Sequence, residues 1–258
     1  MSVSRSWWLL AIAVMACSTS SPSTPRDEPA PLGPFTITFD YRYDTRGFFA
    51  DPMRRSTLDA AARVWTSRFH DSFPRTPRGS KVLFVQPESL ESITIELDAD
   101  HDGILVFVGS SPLPDKVGGR AGPGGTPAGV IDDARRRLQD RLYGDDFEPF
   151  VGSLTFSTVP TWFADPTPDT EDDVPAGQAD LLSIATHELG HVLGFGTAPR
   201  FMRIAGSGLS LTADQYHFAD ATVSDGRRPC MSASPATGKR NIPTSLDLGV
   251  FTQLGYVP

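Results

Sequence analysis

The stretch ATHELGHVLGFGTAPR, residues 185–200, places two histidines and a glutamate within five positions of one another. His187 and His191 are four residues apart, so on a helix their side chains lie on one face, one turn apart. Both imidazoles could then bind one metal ion, and zinc lowers the pKa of a bound water to about 7. Glu188 lies beside them, where its carboxylate could accept a proton and later release it. The spacing therefore predicts a metal centre that activates water.

The same stretch predicts the amphipathic helix that this centre requires. Counted at 100° per residue, an apolar stripe falls opposite the histidines, and its members are Leu181, Leu182, Ala185, Leu189, Val192 and Leu193. One side of the helix is then core and the other faces the metal. A chance match is the alternative, and the amphipathic pattern argues against it.

A third protein ligand has to come from elsewhere in the chain. Thr197 occupies the position three residues after Gly194, where a histidine would complete a compact site, and no glutamate follows Glu188. Zinc prefers imidazole and accepts carboxylate. His217 is the only downstream histidine and is the favoured ligand, with a surface-loop histidine as the alternative interpretation. The competing carboxylates are Asp214, Asp220 and Asp225.

HELGHVLGFG (187–196), a late histidine and then Met231 together resemble the metzincin clan of zinc peptidases. GSLTFSTVPTW (152–162) is similar to the sheet strand and tryptophan that precede the helix in matrixins. The displaced third histidine is more similar to leishmanolysin-type enzymes. The nearest resemblance is to exported bacterial peptidases intermediate between the two. It extends over residues 35–258 and is specific at 186–196.

The resemblance implies a role for each matching residue of the site. His187, His191 and His217 would hold one catalytic Zn²⁺ ion, and Glu188 would be the catalytic general base. Gly194 would end the active-site helix in a left-handed turn, as glycine commonly does after a helix.

Further implications concern the surroundings of the metal. Met231, in RPCMSAS, would form the Met-turn, an apolar floor beneath the zinc, with a routine core methionine as the alternative. Ala233 stands where some metzincins have a tyrosine that helps to hold the oxyanion. Matrixin substrates pair as an extra strand along a sheet edge. The matching segment here is VGGRAG (117–122), whose glycines equally suit a flexible loop.

The element pattern predicts an α+β fold. Alternating or apolar runs predict the strands, which are 35–43, 81–86, 92–98, 104–110 and 150–159. Asp51 and Pro52 predict the start of a helix within residues 51–73, and a short basic helix should end at Gly144. For residues 35–258 we expect a metzincin-like zincin fold. Its N-terminal subdomain (35–194) would be a mixed twisted sheet with two helices. Its irregular C-terminal subdomain (195–258) would hold the Met-turn and a closing helix.

Residues 1–17 predict a signal peptide. Arg5 precedes an apolar run that is shorter than the about 20 residues needed to span a bilayer. VMAC (14–17) resembles a bacterial lipobox, which would make Cys17 the lipidated first residue of the mature protein. An ordinary secretory peptide is the alternative. Residues 18–34 predict a disordered tether. We therefore expect an exported protein, lipid-anchored at a bacterial cell envelope or otherwise secreted.

Composition excludes several partners and cofactors. The net charge of -8 argues against nucleic-acid binding. Cys17 and Cys230 are the only cysteines, too few for a cysteine zinc cluster. DADHDG (98–103) matches the first six positions of a calcium loop, but Gly109 stands at the twelfth, where glutamate is required. A turn between two strands is the favoured interpretation, so calcium remains possible but unsupported.

These features predict a monomeric zinc endopeptidase that acts on peptides or proteins. One alternative is a metalloprotease-like binding lipoprotein without turnover, which has no need of the intact Glu188. Another is a zinc hydrolase of a non-peptide amide.

Overall fold

A computed structural model describes residues 32–129, 132–144, 147–170, 173–206, 208–233 and 238–258. The predicted signal peptide, including Cys17, and most of the predicted tether lie outside the described residues. The last residues of that tether, Leu32–Pro34, form a strand, so the fold begins before residue 35. No helix in the described ranges is long and apolar enough to cross a membrane.

The described residues contain helices and several small sheets, as predicted for an α+β protein. The strands are β1 (Leu32–Pro34), β2 (Ile37–Asp40), β3 (Ser72–Pro74), β4 (Lys81–Val85), β5 (Ser92–Glu96), β6 (Ile104–Ser111), β7 (Gly119–Pro123), β8 (Val151–Ser157), β9 (Trp162–Phe163) and β10 (Ala179–Asp180). The helices are α1 (Pro52–Thr66), α2 (Asp133–Tyr143), α3 (Leu181–Val192), α4 (Pro199–Ala205) and α5 (Ser245–Leu254).

The largest sheet has the strand order β2-β6-β8-β7. β2, β6 and β8 are parallel, and β7 pairs antiparallel with β8 at the sheet edge, so the sheet is mixed as predicted. β6 is buried along its whole length, which agrees with its continuous apolar sequence. β7 lies in the glycine-rich segment for which the sequence left strand and loop both open.

Helix α1 begins at Pro52, as predicted, and ends at Thr66, before the end of the predicted helical segment 51–73. The Asp51 side chain accepts the amide N–H of Met53, and Pro52 is the first helical residue. The apolar face packs on α3, and the indole N–H of Trp65 donates to the carbonyl of Thr186 at 2.9 Å. At 100° per residue Met53 also falls near this apolar face, but its side chain is 48% exposed. This hydrogen bond fixes α1 directly behind the helix that carries the HELGH sequence.

Three α-helices lie in the described part of residues 35–194, one more than the two expected for the N-terminal subdomain: α1, the HELGH helix α3 and the predicted basic helix α2. The N-cap of α2, Asp132, accepts the amide N–H of Arg135. It ends at Gly144, but the φ of that glycine is -69°, so the end is not a left-handed turn. The buried Arg141 guanidinium donates to the carbonyl of Pro74 at 2.8 Å and so attaches α2 to β3.

The C-terminal half is loop-rich and closes with α5. Thr244 and Asp247 form a capping box at its start, and Gly255 (φ 115°) ends it in a left-handed turn. Phe251 packs against Trp65 with ring centroids 4.6 Å apart. Helix α4 was not predicted; its N-cap, Ala198, makes no side-chain capping bond.

The DADHDG segment connects β5 to β6, as the turn interpretation predicts. The Arg75 guanidinium donates to both carboxylate oxygens of Asp102, at 2.8 and 3.0 Å. Asp100 accepts the amide N–H of Arg78 at 2.8 Å. The carboxylates of Asp100 and Asp102 therefore accept hydrogen bonds from arginine residues of the protein itself.

Candidate metal centre

Helix α3 is fixed at both ends by its own sequence. The Asp180 carboxylate accepts the amide N–H of Ser183 at 3.1 Å and its hydroxyl at 2.6 Å. At the other end Gly194 has φ 108°, the left-handed conformation predicted for it. The amide of Phe195 donates to the carbonyl of Gly190 at 3.0 Å and that of Gly194 to His191 at 3.1 Å, which is a Schellman motif. The chain therefore turns sharply just after the second histidine.

Three histidines converge through their Nε2 atoms. The Nε2 atom of His191 lies 3.2 Å from that of His187 and 3.2 Å from that of His217. The Nδ1 atoms of His187 and His191 each lie 2.8 Å from a backbone carbonyl, of Cys230 and Phe195 respectively. Carbonyls only accept hydrogen bonds, so these Nδ1 atoms carry the protons and the Nε2 atoms present lone pairs.

This arrangement fits a bound cation. Two facing lone pairs on neutral imidazoles cannot hydrogen-bond each other, whereas a metal ion between them would satisfy both. Tetrahedral zinc with Zn–N bonds of 2.0–2.1 Å would place its nitrogen ligands about 3.3 Å apart. The three histidines are the cluster of metal-ligating groups found among the described residues, so they could hold a metal ion.

Burial keeps these imidazoles neutral. It lowers the pKa of His187 to about 4, and the nearby His217 adds to that effect. It also lowers the pKa of His191 well below the ordinary value, and that of His217 in the same direction. Neutral imidazole is the form that binds metal, so the site is prepared for a ligand role at neutral pH.

His217 reaches the centre from a loop that is tied to the chain around Met231. The amide of Thr212 donates to the His217 carbonyl, and the amide of Phe218 donates to the carbonyl of Met231, both at 2.9 Å. The Nδ1 atom of His217 is buried without a hydrogen-bond partner in the described residues and lies 4.0 Å from Asp214 Oδ1. His191 and His217 are 26 positions apart in the sequence, and the fold brings their ring nitrogens together.

Thr197 has a structural role at the end of α3. Its hydroxyl donates to the carbonyl of His191 at 2.6 Å. It therefore provides a hydrogen-bond donor to one of the last carbonyls of the helix. In a compact site this position would instead carry the third histidine. The competing aspartates also have protein partners: Asp214 accepts from Thr212, Asp220 lies 3.7 Å from Arg228, and Asp225 accepts from Ser245.

Glu188 is buried beside the histidines, with 6% of its surface exposed. Burial raises the pKa of its carboxyl to about 8, opposed by the positive charge of Arg120. Gly119, at the start of β7, allows this approach, because a Cβ there would lie 2.8 Å from Glu188 Cγ. The carboxyl is thus held between α3 and the sheet edge, where it can exchange a proton with a group at the centre.

Met231 lies beneath the histidine helix and is fully buried. A side chain at Gly190 would collide with its sulfur, so the glycine lets methionine and helix pack closely. The Asp247 carboxylate accepts the amides of Cys230 and Met231, both at 2.9 Å. Sequence reasoning missed this second role of Asp247, although the pattern Thr244-x-x-Asp247 already indicates a capping carboxylate at that position.

A second residue missed from the sequence is Arg240, whose side chain is fully buried. Its guanidinium donates to both oxygens of Asp180 at 3.2 Å and to Asp165 Oδ2 at 3.1 Å. The next residue, Asn241, donates its amide N–H to the Ser183 hydroxyl at 2.7 Å. No short-range pattern contains this cluster, because its members lie up to 75 positions apart.

A cavity of about 460 Å³ opens next to His187, Glu188 and His217. Its walls come from the segment before β7, the segment before α3 and the residues after Met231. Ala233 lines it, so no phenol occupies that position. No family model, curated protein or solved structure matches the chain.

Proposed function

We propose that the chain is a zinc-dependent endopeptidase of the metzincin type. The observation that carries the proposal is the convergence of three Nε2 atoms, on His187, His191 and His217, beside a buried glutamate and an open cavity. A module that only binds would have no need of a carboxyl buried beside the three histidines. The Met231 floor and the left-handed Gly194 turn also support this class.

Zinc, when bound, acidifies water and polarises a substrate carbonyl. Glu188 accepts the proton of the attacking water and passes it to the leaving amine nitrogen. The backbone carbonyls of Cys230 and Phe195 hold the two helix imidazoles in the tautomer that leaves Nε2 free. Ala233 has no donor for the developing oxyanion, so its side chain adds nothing there.

Strand β7 supports an extended peptide as the substrate. It is the edge strand of the large sheet, and its first residue, Gly119, contacts Glu188. A peptide that pairs with the outer edge of β7 would run past the catalytic carboxylate. Main-chain hydrogen bonds would then provide affinity, and the cavity would receive one side chain.

We further propose that the protein acts outside the cytoplasm, anchored through a lipid on Cys17. This part rests on the sequence of residues 1–17, which lie outside the described residues. The tether would place the catalytic domain a short distance from the membrane surface.

The test is hydrolysis of an unfolded protein substrate by the purified protein, with and without a zinc chelator. Glu188→Gln should lower kcat by about 100- to 10,000-fold, the usual contribution of acid–base catalysis, while zinc content stays at one ion per chain. Asp220→Asn, a change in an exposed side chain, is the matched control. Full activity in Glu188→Gln would refute the assigned base. Zinc binding without hydrolysis of any peptide would favour the binding lipoprotein or an amide hydrolase.

A further inference from the structure

Two lysines line the cavity beside the candidate metal centre. Of the three lysines in the chain, Lys116 and Lys239 line this cavity, and Lys81 does not. Both cavity lysines are exposed, and the described residues form no ion pair with either of them. Two ammonium groups are therefore available to a ligand in the cavity.

Lys239 is held at the cavity by its neighbours. Arg240 is buried in its ion pairs with Asp180 and Asp165, and the amide of Asn241 donates to Ser183 on the first turn of α3. These contacts fix the backbone next to Lys239 against the start of the histidine helix. On its C-terminal side Lys239 is therefore attached to residues that bond to the start of α3.

Lys116 is similarly placed by the turn before β7. The amide of Val117 donates to the carbonyl of Pro114 at 3.0 Å, and the carbonyl of Gly118 accepts the amide of Ser157 at 2.8 Å. Lys116 itself has φ 70°, the left-handed conformation that side chains other than glycine rarely adopt. Lys116 lies three residues before Gly119, the first residue of β7, and so lies near the sheet edge along which the proposed peptide substrate would pair.

The acidic groups of the cavity wall do not cancel this charge. Asp180 is engaged by Arg240 through two bonds of 3.2 Å, and Glu188 belongs to the metal centre. The rest of the lining is largely uncharged and includes Val159, Val174 and Ile184. A side chain that combines a short apolar stem with a terminal negative charge matches this lining.

We infer that the cavity receives an acidic side chain, Asp or Glu, of the peptide substrate, and that Lys116 and Lys239 contact its carboxylate. The inference rests on the proposed peptidase function and names its substrate class. The two lysines determine specificity and take no part in bond cleavage. Their charge is used to select a substrate whose own charge would otherwise be repelled by a protein of net charge -8.

The test uses decapeptides in which one Glu or Gln moves through an otherwise Ala-, Ser- and Leu-based sequence. At the position that enters the cavity, the parent should show a kcat/KM about five- to tenfold higher for Glu than for Gln. The double variant Lys116→Gln/Lys239→Gln should bring that ratio close to one. Lys81→Gln, on β4 and away from the cavity, should keep the parent ratio.

A binding measurement separates this inference from the proposed function. Fluorescein-labelled Glu and Gln peptides are titrated into zinc-loaded Glu188→Gln protein and their Kd values compared. A Glu preference that the two lysines control supports the inference even if the parent hydrolyses no peptide. Hydrolysis without a Glu preference, or a preference that survives in the double variant, overturns it while leaving the peptidase proposal intact. Absence of both binding and hydrolysis overturns both proposals.

Discussion

At the scale of single residues, the site depends on small side chains that let larger ones meet. Gly190 lies between His187 and His191 on α3, at the point where the sulfur of Met231 packs against the helix. Gly119 similarly allows β7 to approach Glu188. The histidine tautomers depend on backbone carbonyls, whose positions are set by the Schellman turn and by the chain around Met231.

The close packing of Gly190 against Met231 predicts that adding one methyl group at Gly190 destabilises the protein. Gly190→Ala should lower the free energy of unfolding by about 1–3 kcal/mol, because the new Cβ collides with Met231 in a fully packed core. Urea denaturation measures this change. Gly249→Ala is the matched control: it is a helical glycine on α5 with open space around its Cβ. It should be neutral or stabilising by up to about 1 kcal/mol. Equal effects of the two variants would contradict the proposed packing.

At the scale of secondary-structure elements, α5 helps to position the three-histidine cluster without contributing a histidine to it. Its capping residue Asp247 holds the amides of Cys230 and Met231, and the carbonyl of Cys230 in turn accepts from His187. The start of α5, the turn at Cys230 and Met231 and the His187 ring are thus connected by hydrogen bonds. Phe251 of α5 also packs on Trp65, whose indole N–H donates to the carbonyl of Thr186, the residue before His187.

This connection predicts that a distant carboxylate affects the metal. Asp247→Asn replaces one of two acceptor oxygens with a donor that would face a buried amide, and leaving such an amide unpaired costs about 1–3 kcal/mol. We expect lower stability in thermal unfolding and weaker zinc binding in a competition titration. Asp225→Asn alters a carboxylate that also bonds to the start of α5, but on the surface, and serves as the control. Unchanged zinc affinity in Asp247→Asn would show that the turn does not depend on this carboxylate.

The elements differ in how far their sequences specify them. The long strands and α1, α3 and α5 have local patterns, since their caps and apolar periods lie within a few residues. Helix α4 has no capping side chain, and the short strands of two or three residues have no period to detect. β7 carries glycines that weaken a strand pattern, and it is fixed instead by its pairing with β8.

The residues of the site that could be predicted are those whose types are rare in the chain or whose spacing is characteristic. His187, Glu188 and His191 are recognisable by spacing alone. His217 could be selected as the only remaining downstream histidine, and the structure brings it to the other two. Asp247 and Arg240 act through contacts across 16 and 60 residues, which no local pattern contains.

At the scale of the whole molecule, the proposed peptidase would be an exported domain on a lipid anchor. This arrangement would restrict a soluble catalytic domain to substrates near the membrane. Its net charge of -8 and the lysine-lined cavity then act in opposite directions on an acidic substrate. The global charge would repel such a substrate, and the local charge would hold it once it is bound.

The anchor gives a prediction for the full chain. Cys17→Ser should remove the lipidation site, so the protein should move from the membrane fraction to the soluble fraction of the cell envelope or to the medium. Fractionation and intact-mass measurement follow the change. Cys230→Ser, at the other cysteine, should leave the membrane association unchanged. Equal solubility of parent and Cys17→Ser would support the ordinary secretory peptide.

Zinc stoichiometry tests whether His187, His191 and the displaced third ligand His217 together hold one zinc ion. The purified parent, His217→Ala and Thr197→Ala are compared by zinc stoichiometry after dialysis against a weak chelator. One zinc per chain is expected in the parent and in Thr197→Ala, because Thr197 bonds only to the helix end. His217→Ala should lose its zinc, since it removes one of three converging nitrogens. Tight zinc retention in His217→Ala would exclude His217 as the third ligand, and a parent that binds no zinc would exclude the zinc centre.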